Sequence, residues 1–501
     1  MSAAPKRIVV LGGGTAGWMA ANLFAARWPT HTVHTALIES PDIGTVGVGE
    51  GSTPALKRFF DLIGVSDAQW MPECGATYKL GIRFDGWSPE SGIDSYAHPF
   101  FSKVDTFTQH ALTVNCKTRR LGLDVHTRPD DFFLNALLAT QRKGPQVPEQ
   151  FPFEVDYGYH FDSGLLGQWL AQHARARGVM HVRANVTNVV RSDTGDIAAL
   201  MTSDGTRVDG DVFVDCSGFA AVLMDGALGV GFTDFSDNLF NDAAVVVATD
   251  ADTNPVPETR ATALEAGWAW RIPLAHRTGN GYVYSSAHST PEQAERELRR
   301  HTQCAADADA RHLQMRVGQR ARHWSHNCIA LGLSQGFLEP LEATALLLVQ
   351  VSVESFMQAW EAGDFSAARR DEYNAHLSER FERARDYIVA HYKLNTRTDS
   401  DYWRANRDNT ILSDNVRHLF DVWYRKGDLG AEIAQRKAAT HFGSLSWHCL
   451  FAGYGAFPPL ASDQPGIGDH YLDQDVARFL NRCSMNFSSH AQNLQHAAST
   501  G

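Results

Sequence analysis

Cysteine is scarce and scattered in this chain: seven residues, at positions 74, 116, 216, 304, 328, 449 and 483, with no C-x-x-C pair. An odd number without paired spacing argues against a disulfide framework and a structural zinc site, and makes a reducing, cytoplasmic setting the expectation. Positive charge is also in deficit. Lys+Arg number 45 against 57 Asp+Glu, a formal net charge of −12, so no long-range field attracts nucleic acid or an anionic membrane surface. No apolar run approaches the roughly 18 to 20 residues that span a bilayer, and no signal-peptide h-region precedes the first strand. A soluble, unprocessed protein is expected. Internal repeats are missing, and the 22 histidines form no metal pattern: His323-x-x-His326 lacks a third ligand. What remains is an ordinary globular mix, 44% apolar and 20% charged over 501 residues, enough for two to three folding units or one large enzyme core with an appended part.

The first forty residues read as a βαβ unit: a buried strand at Arg7–Leu11, a tight turn at Gly12–Gly17, a helix from Trp18 to Ala26 ended by Trp28-Pro29, and a second strand at Thr35–Glu39. Glycine and proline punctuation from Gly44 to Pro54 marks a long loop. Residues 55 to 180 read as mixed helical and irregular insertion with little sheet. Strand character returns at Val182–Val190, Asp211–Asp215 and Asn327–Leu331, the last two running into Gly/Ser loops, as strands of an open α/β sheet do when they deliver residues to a ligand. Beyond Leu346 helices dominate. Tyr373, Leu377, Phe381, Ala384 and Ile388 form an amphipathic stripe, and the tail from Ser484 to Gly501 reads as poorly ordered.

Gly12-x-Gly14-x-x-Gly17 follows a strand and opens a helix, the context the dinucleotide fingerprint requires. The first glycine permits the turn, the second lets backbone approach a pyrophosphate, and the third lets helix and strand pack closely, with the helix N-terminus facing the anion. Glu39 ends the next strand, where a carboxylate accepts from both ribose hydroxyls and so favours FAD or NAD over NADP. A second segment, Leu331-Gly332-Leu-Ser-Gln-Gly-Phe-Leu-Glu-Pro340, has the glycine-to-proline shape with which Rossmann flavoproteins return the chain to the flavin, and it tips the choice to FAD. Leu333 stands where many flavin hydroxylases carry Asp.

These and further motifs resemble the flavin-dependent halogenases of the tryptophan halogenase family. The resemblance is carried by Gly12-Gly-Gly-Thr-Ala-Gly-Trp18, Val46-Gly-Val-Gly-Glu-Gly-Ser-Thr-Pro54, Tyr78-Lys79-Leu-Gly-Ile-Arg-Phe84, Gly267-Trp268-Ala-Trp270-Arg-Ile272-Pro273 and Phe337-Leu-Glu-Pro-Leu-Glu342-Ala-Thr344. It implies an α/β fold with a Rossmann-type FAD-binding sheet. An FAD-binding core with interleaved substrate insertions would occupy 1–345, and a mainly helical region covering the substrate chamber 346–501. It implies FAD contacts at Gly12, Gly14, Thr15, Ala16, Gly17, Glu39, Val48, Gly49, Val186, Leu333 and Leu346. FADH2, O2 and a halide, bromide or chloride, would yield hypohalous acid, which travels inside the protein to Lys79. There a neutral amine forming an N-halamine competes with an ammonium that polarises the acid by hydrogen bonding. The first needs a pKa lowered from ~10.4 to ~7, about 4.6 kcal/mol of differential interaction.

Glu342 is the expected partner of Lys79, removing the ring proton or orienting the acid. Alone, each would read as a surface lysine and a helix-capping glutamate. Halide is expected at the backbone N–H groups of Thr344 and Ala345. Trp268 and Trp270, otherwise plain core aromatics, are expected to wall the substrate from the flavin, and His98, Phe100 and Trp447 to meet the aromatic substrate.

Three departures stand out. Ala343 replaces the usual Ser after the glutamate, which predicts a modified relay. Ala345 replaces a Gly and reshapes the halide space, in the direction that suits bromide. Ser446-Trp447-His448-Cys449-Leu-Phe-Ala-Gly453 replaces an Asn-Tyr-Tyr-like segment, removing part of the polar clamp that holds free tryptophan. The expectation is halogenation of indole or a substituted indole, with FADH2 from a separate NAD(P)H-dependent reductase, because no second dinucleotide fingerprint is present. The partners implied are that reductase and a small aromatic, a homodimer being compatible. The alternatives are a halogenase of free tryptophan, a flavin aromatic monooxygenase and a flavin-binding sensor. The unpaired cysteines would be exposed to the oxidant the enzyme makes.

Overall fold

The computed structural model describes residues 4–44, 49–436, 441–465 and 473–500. The chain forms two compact units, each from three pieces: Met1–Gly75, Phe161–Phe235 and Arg316–Glu382 in the first, Ala76–His160, Ser236–Met315 and Arg383–Gly501 in the second. The expected boundary at 345/346 falls within the third piece of the first unit.

The first unit is built on a six-stranded sheet in the order Trp324–Ser325, Cys328–Ala330, Val212–Asp215, Lys6–Leu11, Val33–Glu39, Met180–Arg183. All neighbours run parallel except the Trp324–Ser325 hairpin edge. Strands covered on both faces need continuous apolar sequence, which Ile8-Val-Val-Leu11 supplies, all four being buried. The helix Thr15–Arg27 packs on the sheet and against the helices Ser163–Ala176 and Ala345–Ala362. Its one polar core residue, Asn22, is satisfied: Nδ2 donates to the Trp18 and Leu170 carbonyls and Oδ1 accepts from His173 Nδ1. The expected strand at 182–190 is two strands. Met180–Arg183 joins the parallel sheet, and Val186–Arg191 begins a separate antiparallel sheet with Ile197–Thr202 and Arg207–Asp209; the chain changes sheets at Ala184-Asn185.

The second unit holds a seven-stranded sheet in the order Ala310–Gln314, Ala243–Thr249, Thr278–Tyr284, Gly267–Pro273, Thr259–Leu264, Gly81–Ser88, Ile93–Pro99. This corrects the reading of residues 55 to 180 as mixed helical and irregular insertion with little sheet. Two of the seven strands lie there, their alternation hidden by a register shift between Asp85 and Ser88, where Gly86 takes φ +73°. Arg83 is nearly buried on this sheet and donates to both Glu258 and Asp130 at 2.8 Å.

Helices follow from Ala345 onward, and the stripe Tyr373, Leu377, Phe381, Ala384, Ile388 is buried in the helix Arg370–Leu394. The tail corrects the sequence reading. Residues His490–Thr500 form a helix, ordered by its own second unit: His490 Nδ1 bonds the Pro255 carbonyl at 3.0 Å and Asn493 Oδ1 accepts from the Gln146 N–H at 3.0 Å. Among the described residues no helix is long and apolar enough to cross a membrane, and no group of three His, Cys, Asp or Glu could hold a metal.

In the first unit His323 is buried, stacked on Phe381 with ring centroids 5.2 Å apart, and burial pushes it down to about 3. Neutral in the fold but ordinary in the unfolded chain, it makes the unfolded state the stronger proton binder between about pH 3 and 6.5, so stability falls as pH falls through that window. Thermal unfolding of the wild type and His323→Gln should show it: the wild-type midpoint drops relative to the variant between pH 7 and 4, and the difference is constant above pH 7.

Candidate functional site

The first unit brings the glycine motif together at the carboxyl edge of its parallel sheet. Gly12 has φ +117°, and a Cβ on it would lie 2.2 Å from the Cys216 carbonyl oxygen; a Cβ on Gly17 would lie 2.0 Å from the Gly12 carbonyl oxygen. Neither position admits a side chain. Gly14 differs: it is the N-cap of the helix Thr15–Arg27, no side chain caps it, and nothing lies within 4 Å of a Cβ placed there. The first-turn N–H groups of Thr15, Ala16 and Gly17 have no intrahelical acceptor and the space over Gly14 is open, which suits a pyrophosphate. Glu39 ends its strand beside this turn. A Cβ on Gly13 would touch its carboxyl group, and one of its oxygens accepts from His181 Nε2 at 2.8 Å. Among the described residues the other oxygen accepts no hydrogen bond, which leaves it for ribose hydroxyls. These residues fit a dinucleotide.

His181 was not flagged in the sequence. It lies on the neighbouring strand, with Trp18 edge-on to it at 5.0 Å, and only the three-dimensional pairing reveals it. Asp215 was read merely as a strand end. Its buried carboxylate accepts from the N–H groups of Ser217, Leu223 and Met224 and from the Ser217 hydroxyl, while burial pushes its pKa up against those bonds. Its carbonyl receives the Leu331 N–H at 2.9 Å and the Ser334 hydroxyl, tying the second flavin segment to the first. Gly332, at φ +62°, leans on Ala16: a Cβ there would come within 2.9 Å of the Ala16 Cβ. Leu333 is half-buried beside it. Val186 is partly buried against the core formed by Val9, Ile38 and Phe213, Gly49 is buried, and Val48 lies outside the described residues.

Also in the first unit, Pro340–Glu342 is a short 3-10 turn that ends at Ala343 with φ +54°. Glu342 is buried. An alanine in the left-handed region costs roughly 1–2 kcal/mol, so this departure sits at a strained corner. Thr344, buried, then caps the 18-residue helix Ala345–Ala362 without a side-chain bond, and Ala345 is exposed. Leu346 follows in the first turn.

The second unit gathers the other predicted residues. Thr77–Lys79 is a strand paired antiparallel with Gly158–Asp162, Lys79 opposite Gly158. Lys79 is fully buried, its Nζ 5.6 Å from the Phe100 ring centroid. Trp268 and Trp270 lie on one face of the strand Gly267–Pro273 with centroids 6.2 Å apart, and Trp270 covers Gly281, where a Cβ would sit 2.1 Å from its ring. His98 is 5.8 Å from the Tyr387 ring, which meets Trp447 edge-on at 5.2 Å and stacks on Phe442 at 3.8 Å. Tyr387 and Phe442 were missed, because helical spacing alone reads Tyr387 as core. His448, in the helix Ser444–Gly453, donates Nδ1–H to the Ser444 carbonyl at 2.8 Å.

A family model described as tryptophan halogenase matches residues 7–465. The chain belongs to the tryptophan halogenase family. Tryptophan 6-halogenase SttH of Streptomyces toxytricini is 37% identical over 444 residues, 84% of each chain, and tryptophan 7-halogenase RebH of Lentzea aerocolonigenes is 32% identical over 491 residues, 92% of each. Among solved structures, BrvH, a flavin-dependent halogenase from Brevundimonas sp. BAL3, superposes with a TM-score of 0.81 at 34% identity, covering 98% of this chain and 99% of that one. The protein is thus an enzyme, a flavin-dependent halogenase with an FAD-binding Rossmann-type fold.

For this halogenase the two motif glycines separate by experiment. Gly14→Ala, at an unstrained φ of −74° with open space around it, should leave flavin-free thermal stability within about 0.5 kcal/mol yet weaken FAD binding measured by flavin fluorescence. Gly17→Ala should lower both.

Proposed function

We propose that the enzyme halogenates indole or a substituted indole, with Lys79 receiving hypohalous acid and Glu342 accepting the proton that leaves the ring. Reduced flavin with O2 supplies the oxidising equivalent that converts halide to hypohalous acid. The observation that carries the reading is the placement of Lys79: a fully buried amine on a strand, facing the ring of Phe100 at 5.6 Å. An amine so withdrawn from water has no solubilising role, and a buried lysine is held there at a cost that a function offsets.

The choice of indole over tryptophan rests on residues 446–453. Every one of them is buried and none is a carboxylate, lysine or arginine, so this helix offers an aromatic wall at Trp447 without charges to pair the amino acid's ammonium and carboxylate. Free tryptophan is the second reading, favoured by the names of the relatives above. Trp268 and Trp270 are proposed to separate the aromatic substrate from the flavin, and the N–H groups of Thr344 and Ala345 to hold the halide, with bromide preferred because Ala345 alters that corner. FADH2 is proposed to come from a separate NAD(P)H-dependent reductase.

An aerobic assay with a flavin reductase, read by mass spectrometry, tests this. Bromide with indole should give bromoindole, with kcat/KM at least tenfold above that for tryptophan. A hydroxylated product formed equally well without halide would sink the reading. Lys79→Ala should reduce halogenated product below detection while flavin oxidation continues at the wild-type rate.

A further inference from the structure

The strand Thr77–Lys79 has two edges. One pairs with Gly158–Asp162. The other faces residues 255–257, a segment bent at Pro257 where Glu258 N–H bonds the Val256 carbonyl at 2.8 Å, and no regular ladder forms there. Leu80 N–H donates to the Pro257 carbonyl at 2.7 Å. Tyr78 N–H points the same way two residues earlier. It donates instead to Nε2 of His490 at 3.3 Å, and Nδ1 of the same imidazole bonds the Pro255 carbonyl at 3.0 Å. A side chain 412 residues away in sequence has taken the place of a rung between the lysine strand and its neighbour.

The chemistry of the partners fixes the ring's state. A peptide N–H can only donate and a carbonyl can only accept, so Nε2 is bare and Nδ1 carries the hydrogen. On the opposite edge His160 is fixed in the same way. Thr77 Oγ1 donates to the Pro273 carbonyl at 2.7 Å, so its contact of 3.2 Å with His160 Nδ1 has the imidazole as donor, and Nε2 accepts from Thr259 Oγ1 at 2.9 Å. Both rings are buried and both are pushed down in pKa by burial, His490 to about 4. Pro273 closes the W-x-W-x-I-P strand, so one strand residue, Thr77, links the lysine to the tryptophans.

We propose that His490 is a positioning residue for Lys79: by substituting for a backbone rung at Tyr78 it fixes the register and pitch of the strand from which the lysine projects, so that this one residue at the start of the helix His490–Thr500 acts on halogen transfer through the strand. This deepens the reading of Lys79 given above and rests on it. Successive strand residues point to opposite faces, so a tilt at Tyr78 swings Lys79 directly, and displacements of about 1 Å at a reacting group cost up to ~100-fold in rate. The helix is also docked through Asn493, which accepts from the Gln146 backbone N–H and donates to Ser488 Oγ, while the Gln146 side chain donates Nε2–H to the Tyr78 hydroxyl at 2.8 Å. Asn493 bonds the Gln146 backbone and not the Tyr78 amide, so docking and rung are varied separately.

The test uses the full-length, FAD-loaded enzyme with a flavin reductase, bromide and indole, measuring halogenated product per flavin oxidised, kcat and KM, and the thermal midpoint. His490→Met removes the acceptor at nearly constant length and should lower product per flavin by about 10- to 100-fold, with KM for indole within twofold. His490→Gln, whose Oε1 reaches the same place, should recover to within threefold of wild type. Asn493→Ala should lower the thermal midpoint and leave product per flavin unchanged. If the Met variant does not fold, His490→Asn, which keeps a polar head too short for Tyr78, takes its place. The proposal is overturned if the Met or Asn variant matches wild type in product per flavin, if Gln fails with them, or if Asn493→Ala is equally impaired. Lys79→Ala in the same assay keeps the two ideas apart, since halogenation surviving there removes the role of Lys79 itself.

Discussion

Two missing methyl groups hold the flavin unit together. Where the strand Lys6–Leu11 turns into its helix, the backbone of Gly12 passes under the end of the strand Val212–Asp215, and Gly17 lies on the Gly12 carbonyl; side chains at either place would overlap main-chain oxygen at about 2 Å. Because strand, helix and the Cys216 backbone meet at that distance, the helix N-terminus is aimed with its amides open, Glu39 is within reach of the same turn, and Gly332 can lean on Ala16. Asp215 completes the edge by gathering four donors of its own. The geometry that makes a dinucleotide cradle is thus an outcome of steric necessity at the sheet's carboxyl edge, as expected where an open α/β sheet binds its ligand.

How far the sequence reveals this depends on the range of the interactions. The glycine turn, Glu39 and the stripe from Tyr373 to Ile388 are legible because each rests on a local rule, a forbidden Cβ or a helical period. The strands Gly81–Ser88 and Ile93–Pro99 were not, since a register shift at Gly86 breaks the alternation that marks a strand. The tail was misread for a different reason. Its Ser-, His- and Asn-rich composition resembles disorder, and the bonds that order it reach Pro255 and Gln146, partners no local window contains. His181, Tyr387 and Phe442 belong to the same class: ordinary residues whose meaning comes from neighbours distant in the chain. The motifs around Lys79, Glu342 and the two tryptophans were legible as patterns, while the corner at Ala343, with its positive φ, was not.

The distribution of sulfur revises one expectation. A chain that handles hypohalous acid seemed to carry seven vulnerable thiols, yet Cys74, Cys116, Cys328, Cys449 and Cys483 are buried and none of the seven is exposed. Burial also pushes Cys216 and Cys328 well above the ordinary thiol range, so little thiolate is present to react. The accessible soft targets are thioethers: Met485 is 79% exposed and Met180 54%. Sulfoxidation at such surface sites leaves cores intact and is chemically reversible.

The separation between Tyr78 and His490 also has a meaning in time. A ribosome adding about 5 to 20 residues per second needs on the order of 20 to 80 s to cover the 412 residues between them. From the start of that interval the nascent chain contains the glycine turn, and before its midpoint the tryptophan strand Gly267–Pro273 as well, while one amide of the lysine's strand waits for an imidazole not yet made.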